Sequence, residues 1–240
     1  MEKVVFLKLA GIFILCILVW IVWGKREETE VPVSNLAEWE KTETESPTAC
    51  SVGEGGAGKI ALTFDDGPHP YYTEQLLDGF KDRGVTVTFF VTGEHAALHP
   101  EVVKRMEEEG HLIGNHTYSH LQLNGHNREA YKQELVKTNE VIEAITGKKV
   151  EFVRPPYGTW DKSLEQELDM IQVLWSVDPL DWCSKDASCI AAKVLGQVEE
   201  NDIILMHDYY ESSVTAALKI VDSLLERGYE LVTVEELLLD

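Results

Sequence analysis

Two adjacent carboxylates, Asp65 and Asp66, close the apolar run Ile60-Ala61-Leu62-Thr63-Phe64 and are followed at once by Gly67-Pro68. Like charges side by side cost energy. A fold that keeps them in a site needs a metal ion there, or a division of labour in which one carboxylate takes a proton while the other stays ionised. Groups that would complete such a site recur downstream. His116-Thr117-Tyr118-Ser119-His120 places two imidazoles four residues apart, on one face if the segment forms a helical turn. Val150-Glu151-Phe152-Val153 runs into Arg154-Pro155-Pro156-Tyr157-Gly158, and Ile203-Ile204-Leu205-Met206 runs into His207-Asp208.

These charged residues stand at the ends of strand-like runs, and helix-like segments separate the runs. Val85–Val91 is β-branched and aromatic, His111–Asn115 is a short strand, and Ile171–Trp175 and Tyr229–Thr233 complete seven strand candidates with those above. Between them lie helix candidates over Thr73–Phe80, Glu101–Glu109 (opened by Pro100), Glu129–Ile145 (ended by Gly147), Lys162–Leu168, Ala187–Glu199 and Ser213–Arg227. Alternation of this kind predicts an α/β fold with parallel strands. Charged residues dispersed over many strand ends favour a barrel over an open sheet, because in a barrel those ends converge on one face.

The chain opens with an apolar run from Val4 to Trp23 broken only by Lys8, long enough to cross a bilayer. It ends without an Ala-x-Ala cleavage pattern and with tryptophans where an interfacial belt would lie, so residues 1–24 are expected to be an uncleaved membrane anchor. Residues 25–58 are rich in Glu, Thr, Ser, Pro and Gly and read as an acidic flexible linker. Residues 59–240 form the expected catalytic domain. Gly53 to Lys59 mimics the glycine and lysine spacing of a phosphate-binding loop, but Ile60 stands where a magnesium-binding hydroxyl is required and the loop precedes its strand. A nucleotide site is excluded. A formal net charge of −21 repels phosphates and leaves no basic stripe, which argues against nucleic acid as a partner. Cys183 and Cys189, six apart in a polar loop, admit a small disulfide outside the cell, with two free thiols as the other reading.

The charged segments resemble the five motifs of the polysaccharide deacetylase family, also called carbohydrate esterase family four or the NodB homology domain. Thr63-Phe64-Asp65-Asp66-Gly67-Pro68 is similar to the first and His116-Thr117-Tyr118-Ser119-His120 to the second. Arg154-Pro155-Pro156-Tyr157-Gly158, Asp178-Pro179-Leu180-Asp181-Trp182 and Leu205-Met206-His207-Asp208 resemble the third, fourth and fifth. All five stand in order over roughly residues 59–235. The resemblance implies a deformed (β/α) barrel with about seven parallel strands and a divalent metal, zinc first, with cobalt, nickel or manganese as alternatives. It implies hydrolysis of N-acetyl groups from N-acetylglucosamine in a glycan.

By the same resemblance Asp65 is the catalytic base, Asp66, His116 and His120 hold the metal, and His207 is the catalytic acid. Arg154 orients the base, Asp178 pairs with the acid, the Tyr157 backbone amide holds the oxyanion, and Trp182 and Leu205 line the pocket for the acetyl methyl. Adjacency alone leaves open which aspartate binds the metal. Asp208 is a candidate for a supporting place only. His69, His95, His99, His111 and His126 lack ligand spacing and read as structural, although His69 is close enough to the first motif to line the cleft. Tyr209 and Tyr210 stack on sugar rings in one reading and pack the barrel in another. The expected partner is an N-acetylated glycan, peptidoglycan first, with chitin oligomers or an exopolysaccharide as alternatives. An anchored, extracytoplasmic enzyme follows, against the rival of a non-catalytic glycan-binding domain.

Overall fold

A computed structural model describes residues 58–239, so the expected anchor and nearly all of the linker lie outside the described residues. Strand β1 (Lys59–Asp65) is the middle of the architecture. It pairs in parallel with β2 (Thr88–Val91), β6 (Ile203–His207) and β7 (Glu230–Val232). Outward from β2 follow β3 (Leu112–Asn115), β4 (Phe152–Val153) and β5 (Ile171–Gln172), giving the order β5-β4-β3-β2-β1-β6 with β7 on β1. Just past β5, Val177 bridges in parallel to Ile204 of β6. The far edge is thereby curled back toward the first, which makes the deformed parallel barrel that the motifs imply.

Helices cross between the strands: α1 (Tyr72–Arg83), α2 (Gly93–Leu98), α3 (Pro100–Glu108), α4 (Arg128–Thr146), α5 (Ser163–Leu168), α6 (Ala187–Leu195), α7 (Glu211–Glu226) and α8 (Val234–Leu239). α4 stops at Gly147, which takes the left-handed φ of 71° that a side chain resists. Asp186 caps α6 by accepting from the backbone N–H groups of Ser188 and Cys189.

Alternation along the strands sorts the side chains into two layers. Ile60, Leu62 and Phe64 of β1 join the large core under the helices with Phe89, Phe80 and the buried face of α7. The Phe64 and Phe89 rings stack at 5.4 Å. Burial of each such ring contributes about 1.5–3 kcal/mol. The opposite parity, Ala61 and Phe90 with Phe152 and Val173, forms a smaller cluster on the other face. Thr63 and Asp65 share the parity of Ala61, so Asp65 points into the interior of the curl and not at the helices.

Several parts of the chain differ from expectation. α2 and α8, six residues each, have no counterpart among the helix candidates, and α2 opens on Gly93, a weak helix former. β4 and β5 are shorter than expected: Pro155 and Pro156 lack N–H groups, and the carbonyls of Val173 and Leu174 accept from the Arg154 side chain. The His116–His120 segment is no helical turn; Thr117 and His120 both take left-handed φ values, 63° and 58°.

Candidate active site

Strand register brings the charged motifs together. Asp65 lies opposite His207 on one side and Phe90 on the other, and Asn115, which precedes His116, lies opposite Val153, which precedes Arg154. Four motifs therefore leave the sheet at its C-terminal edge, the face where active sites of βα folds form.

Asp66, His116 and His120 offer ligand atoms that all lie within 4.8 Å of one another. Asp66 Oδ1 is 3.4 Å from Nε2 of each histidine. Neighbouring ligands of a tetrahedral ion with bonds of about 2.0–2.1 Å stand about 3.4 Å apart, so the spacing is that of a metal site. Asp66 Oδ1 is also buried, and apart from the two imidazole nitrogens at 3.4 Å no protein group satisfies it, which fits a cation held among the three. His116 Nδ1–H donates to the Arg154 carbonyl at 2.6 Å, which fixes the ring and leaves Nε2 for the ion. Burial raises the Asp66 pKa, but the hydrogen bond and charge of His116, with the charges of His120 and His207, outweigh it and bring the value down to about 2. Burial lowers the pKa of His120, favouring the neutral imidazole that coordinates.

Asp66 itself has a φ of 77°, a strained conformation for a residue with a side chain. Neighbours hold it there. His95 Nδ1–H donates to the Asp66 carbonyl at 2.7 Å, and Thr92 N–H donates to the Gly67 carbonyl at 3.0 Å. Asp208, fully buried, accepts from the Thr73 hydroxyl at 2.5 Å and lies so close under Gly67 that a Cβ there would overlap its carboxylate. Burial is the largest cause lifting the Asp208 pKa to about 7.

Asp65 is buried and is held by Arg154, whose Nη1 donates to Asp65 Oδ1 at 2.8 Å and to Thr63 Oγ1 at 2.6 Å. The guanidinium is fully buried, lies 4.3 Å from the Phe90 ring centroid, and donates also to the carbonyls of Val173 and Leu174. Each of its three nitrogens donates a hydrogen bond. Arg154→Met would leave Asp65 as a buried charge without its partner, and a stability loss of about 3–5 kcal/mol is expected in chemical denaturation. Wild-type stability in that variant would contradict the pairing.

His207 is the structure's correction to the motif assignment. Its Nδ1–H donates to Asp181 Oδ1 at 2.7 Å, and its backbone N–H donates to Asp181 Oδ2 at 2.9 Å. Asp178, the expected partner, instead accepts from the Leu180 N–H at 2.8 Å in a local turn. Left-handed backbone at Leu180, φ 57°, separates the two aspartates' directions. Burial would lower the His207 pKa, but the Asp181 hydrogen bond and charge, helped by Asp65 and Asp66, raise it to about 9. Leu205 is buried on β6 two positions before His207, and Trp182 is exposed on the short turn that carries Asp181. The Tyr157 ring lies 5.0 Å from that of His120, with Tyr157 at a left-handed φ of 59°.

The disulfide expected as one reading is absent: Cys183 and Cys189 are both free and exposed. Cys183 Sγ–H turns to the Leu180 carbonyl, while Cys189 sits in the capped first turn of α6. His111 is structural, as expected. It accepts from the Val87 N–H at 3.1 Å and packs against Phe80 and Phe89, and burial lowers its pKa to about 4. A cavity of about 480 Å³ lies away from the ion site, at the start of β3 and β4, lined by Glu107, His111, Phe152 and Lys148 among others. It contains none of the residues assigned to the chemistry.

On a curled parallel βα sheet, an ion site flanked by an arginine-held carboxylate and an aspartate-held imidazole belongs to the metal-dependent hydrolases. The chain belongs to the polysaccharide deacetylase family: the family's model, described as polysaccharide deacetylase, matches residues 53–173. The chain is 42% identical over 179 residues to peptidoglycan-N-acetylmuramic acid deacetylase PdaC of Bacillus subtilis, covering 74% of this chain and 38% of that protein. It is 39% identical over 191 residues to a peptidoglycan-N-acetylglucosamine deacetylase of Bacillus cereus, covering 75% of this chain and 68% of that protein. The solved structure of PdaC superposes with a TM-score of 0.73 at 40% identity, over 75% of this chain and 90% of the solved one.

Proposed function

We propose that this chain is a zinc-dependent deacetylase that hydrolyses the N-acetyl groups of N-acetylglucosamine residues in a cell-wall glycan, peptidoglycan first. The observation that carries the reading is the placement of Asp66, His116 and His120 as one ion site between Asp65–Arg154 and His207–Asp181. The names of two relatives, which specify peptidoglycan, support the choice of polymer. Cobalt, nickel or manganese suit the same donors.

A divalent ion bound there supplies Lewis acidity, which lowers the pKa of water and polarises an amide carbonyl. The protein's own groups do the rest. Asp65, oriented by Arg154, takes the proton of the attacking water. The backbone N–H of Tyr157 donates to the carbonyl oxygen as it gains charge, since Pro156 beside it has no N–H to give. His207, kept protonated by Asp181, gives its proton to the amine as the C–N bond breaks, leaving acetate and a free amino sugar. Leu205 and Trp182 offer apolar surface to the acetyl methyl. A neutral substrate and a cationic product suit a chain with a net charge of −21.

Residues 1–24 anchor the protein in the membrane and residues 25–58 tether the domain outside it, within reach of the wall. Among the described residues no helix is long and apolar enough to cross a membrane. Fractionation of cells tests the anchor: the full chain is expected with membranes, and recovery in the soluble fraction would sink this arrangement.

The test of function is incubation of the purified chain with peptidoglycan and with chito-oligomers, with and without added zinc, measuring acetate. Zinc-dependent acetate release is expected, and its absence from every glycan would remove the proposal. Glycan binding unchanged by chelator with no acetate would favour the non-catalytic rival.

The acid assignment carries its own pH signature. His207 must be protonated to act, so rate is expected to fall as pH rises through its pKa. That value is about 9 without the ion and lower with it, because a nearby cation disfavours the imidazolium. Asp181→Asn removes the charge that raises it and should move the alkaline limb to lower pH, measured as kcat against pH. The same raised pKa stabilises the fold fully below about 6.5, and that contribution is lost as pH rises through about 9. An unmoved limb would assign the acid elsewhere.

A further inference from the structure

Five aromatic rings lie in an unbroken chain beside the site. Tyr209, two residues past His207, meets the His69 ring edge-on at 4.9 Å; His69 meets Tyr72 at 4.6 Å, and Tyr72 meets Tyr71 at 5.4 Å. On the other side Tyr210 follows Tyr209 at 6.1 Å. The chain is tied directly to the ion site: Tyr209 stacks on His95 at 5.6 Å and 26°, and His95 holds the Asp66 carbonyl.

Packing does not account for it. Tyr71, Tyr209 and Tyr210 are 61%, 39% and 42% exposed, so rings that would contribute most by burial are instead presented to solvent. The surface is also held firmly. His69 Nδ1 accepts from the N–H groups of Tyr71 and Tyr72, and the His69 N–H donates to Thr73 Oγ1, which donates to buried Asp208. Tyrosine has few rotatable bonds, so such a surface binds at little ordering cost. None of its side chains carries a formal charge when the histidine is neutral, and burial, with His99 and His95, lowers the His69 pKa. In a chain with 42 acidic and 21 basic residues an uncharged aromatic surface stands out.

We propose that the rings of Tyr71, Tyr209 and Tyr210, supported by His69 and Tyr72, form a platform for pyranose rings of the glycan chain outside the sugar that is deacetylated. Sugar rings present C–H faces bordered by hydroxyls, which match an aromatic face edged with phenol groups. The platform makes the enzyme favour long chains over short ones. This rests on the proposed function, since the ligand is the polymer that reaches the ion site.

The test uses the full zinc-loaded chain carrying Asp65→Asn to halt turnover, titrated by calorimetry with N-acetylated chitopentaose and chitobiose. Tyr71→Ala is expected to weaken chitopentaose binding about fivefold to tenfold and to reduce the ratio of pentaose to biose affinity. Tyr71→Trp should restore it. Tyr209→Ala should act in the same direction, but it also removes the ring under His95, so Tyr71 is the deciding position. Equal chitopentaose affinity in the parent and Tyr71→Ala overturns the platform. Acetate release by the wild-type chain is scored separately: if it is absent while the Tyr71 effect persists, the proposed reaction fails and the platform stands.

Discussion

Asp66→Ala is expected to abolish both metal binding and acetate release. Asp66 is the only carboxylate among the three ligands, and its Oδ1 is the atom from which both imidazole nitrogens are 3.4 Å distant. Loss of groups that merely support a ligand costs about 10–100-fold in affinity, so loss of the anionic ligand itself should exceed about 100-fold. The fold should survive, because the Asp66 side chain is 35% exposed and the neighbouring loop is held through backbone groups by His95 and Thr92. Bound zinc after dialysis, acetate release and a circular dichroism spectrum read the three consequences. A variant that turned over at the wild-type rate after chelation would show that these three residues do not hold the working ion.

The parts of this site that sequence exposes are those fixed by strand periodicity. β1 and β6 are apolar runs that end in charge, and the parallel register sets Asp65 opposite His207 as the pattern of ends implies. Arg154 is legible for the same reason. What sequence does not show depends on single backbone angles. Asp178 and Asp181 lie three apart in one loop with a left-handed turn at Leu180 between them, and spacing alone does not say which carboxylate faces His207. Left-handed Thr117 and His120 bring the two imidazoles to one side of Asp66 without a helix, and a β-branched residue such as Thr117 does not advertise that conformation. His95 escapes for a different reason: its contact is to a backbone carbonyl, 29 residues away, from a helix of six residues. The free thiols follow from local capping, which sets Cys183 and Cys189 on separate turns.

One residue links the two halves of the chemistry. The Arg154 side chain holds Asp65 at 2.8 Å, and its backbone carbonyl accepts from His116 Nδ1 at 2.6 Å. Strand β4 is therefore placed so that a shift of its end would move Asp65 and His116 together. The following Pro155-Pro156 pair restricts that end.

Asp65→Asn separates what Arg154 joins. The variant is expected to retain zinc within a few-fold while kcat falls by about 10²–10⁴, the range for loss of a general base. Asparagine keeps the size of the side chain and one oxygen able to accept from Arg154 Nη1, so the geometry around the guanidinium should hold. Asp65 lies outside the three-residue ligand group, and its Oδ2 is 3.8 Å from His116 Nε2, farther than the 3.4 Å of the Asp66 oxygen. Removing its charge therefore weakens the field on the ion without taking a ligand from it. The decisive measurement is zinc content beside kcat in the same preparation. Loss of zinc would make Asp65 a ligand, and a kcat within tenfold of wild type would move the base to another group; retained zinc with lost rate leaves proton transfer as the step that Asp65 performs.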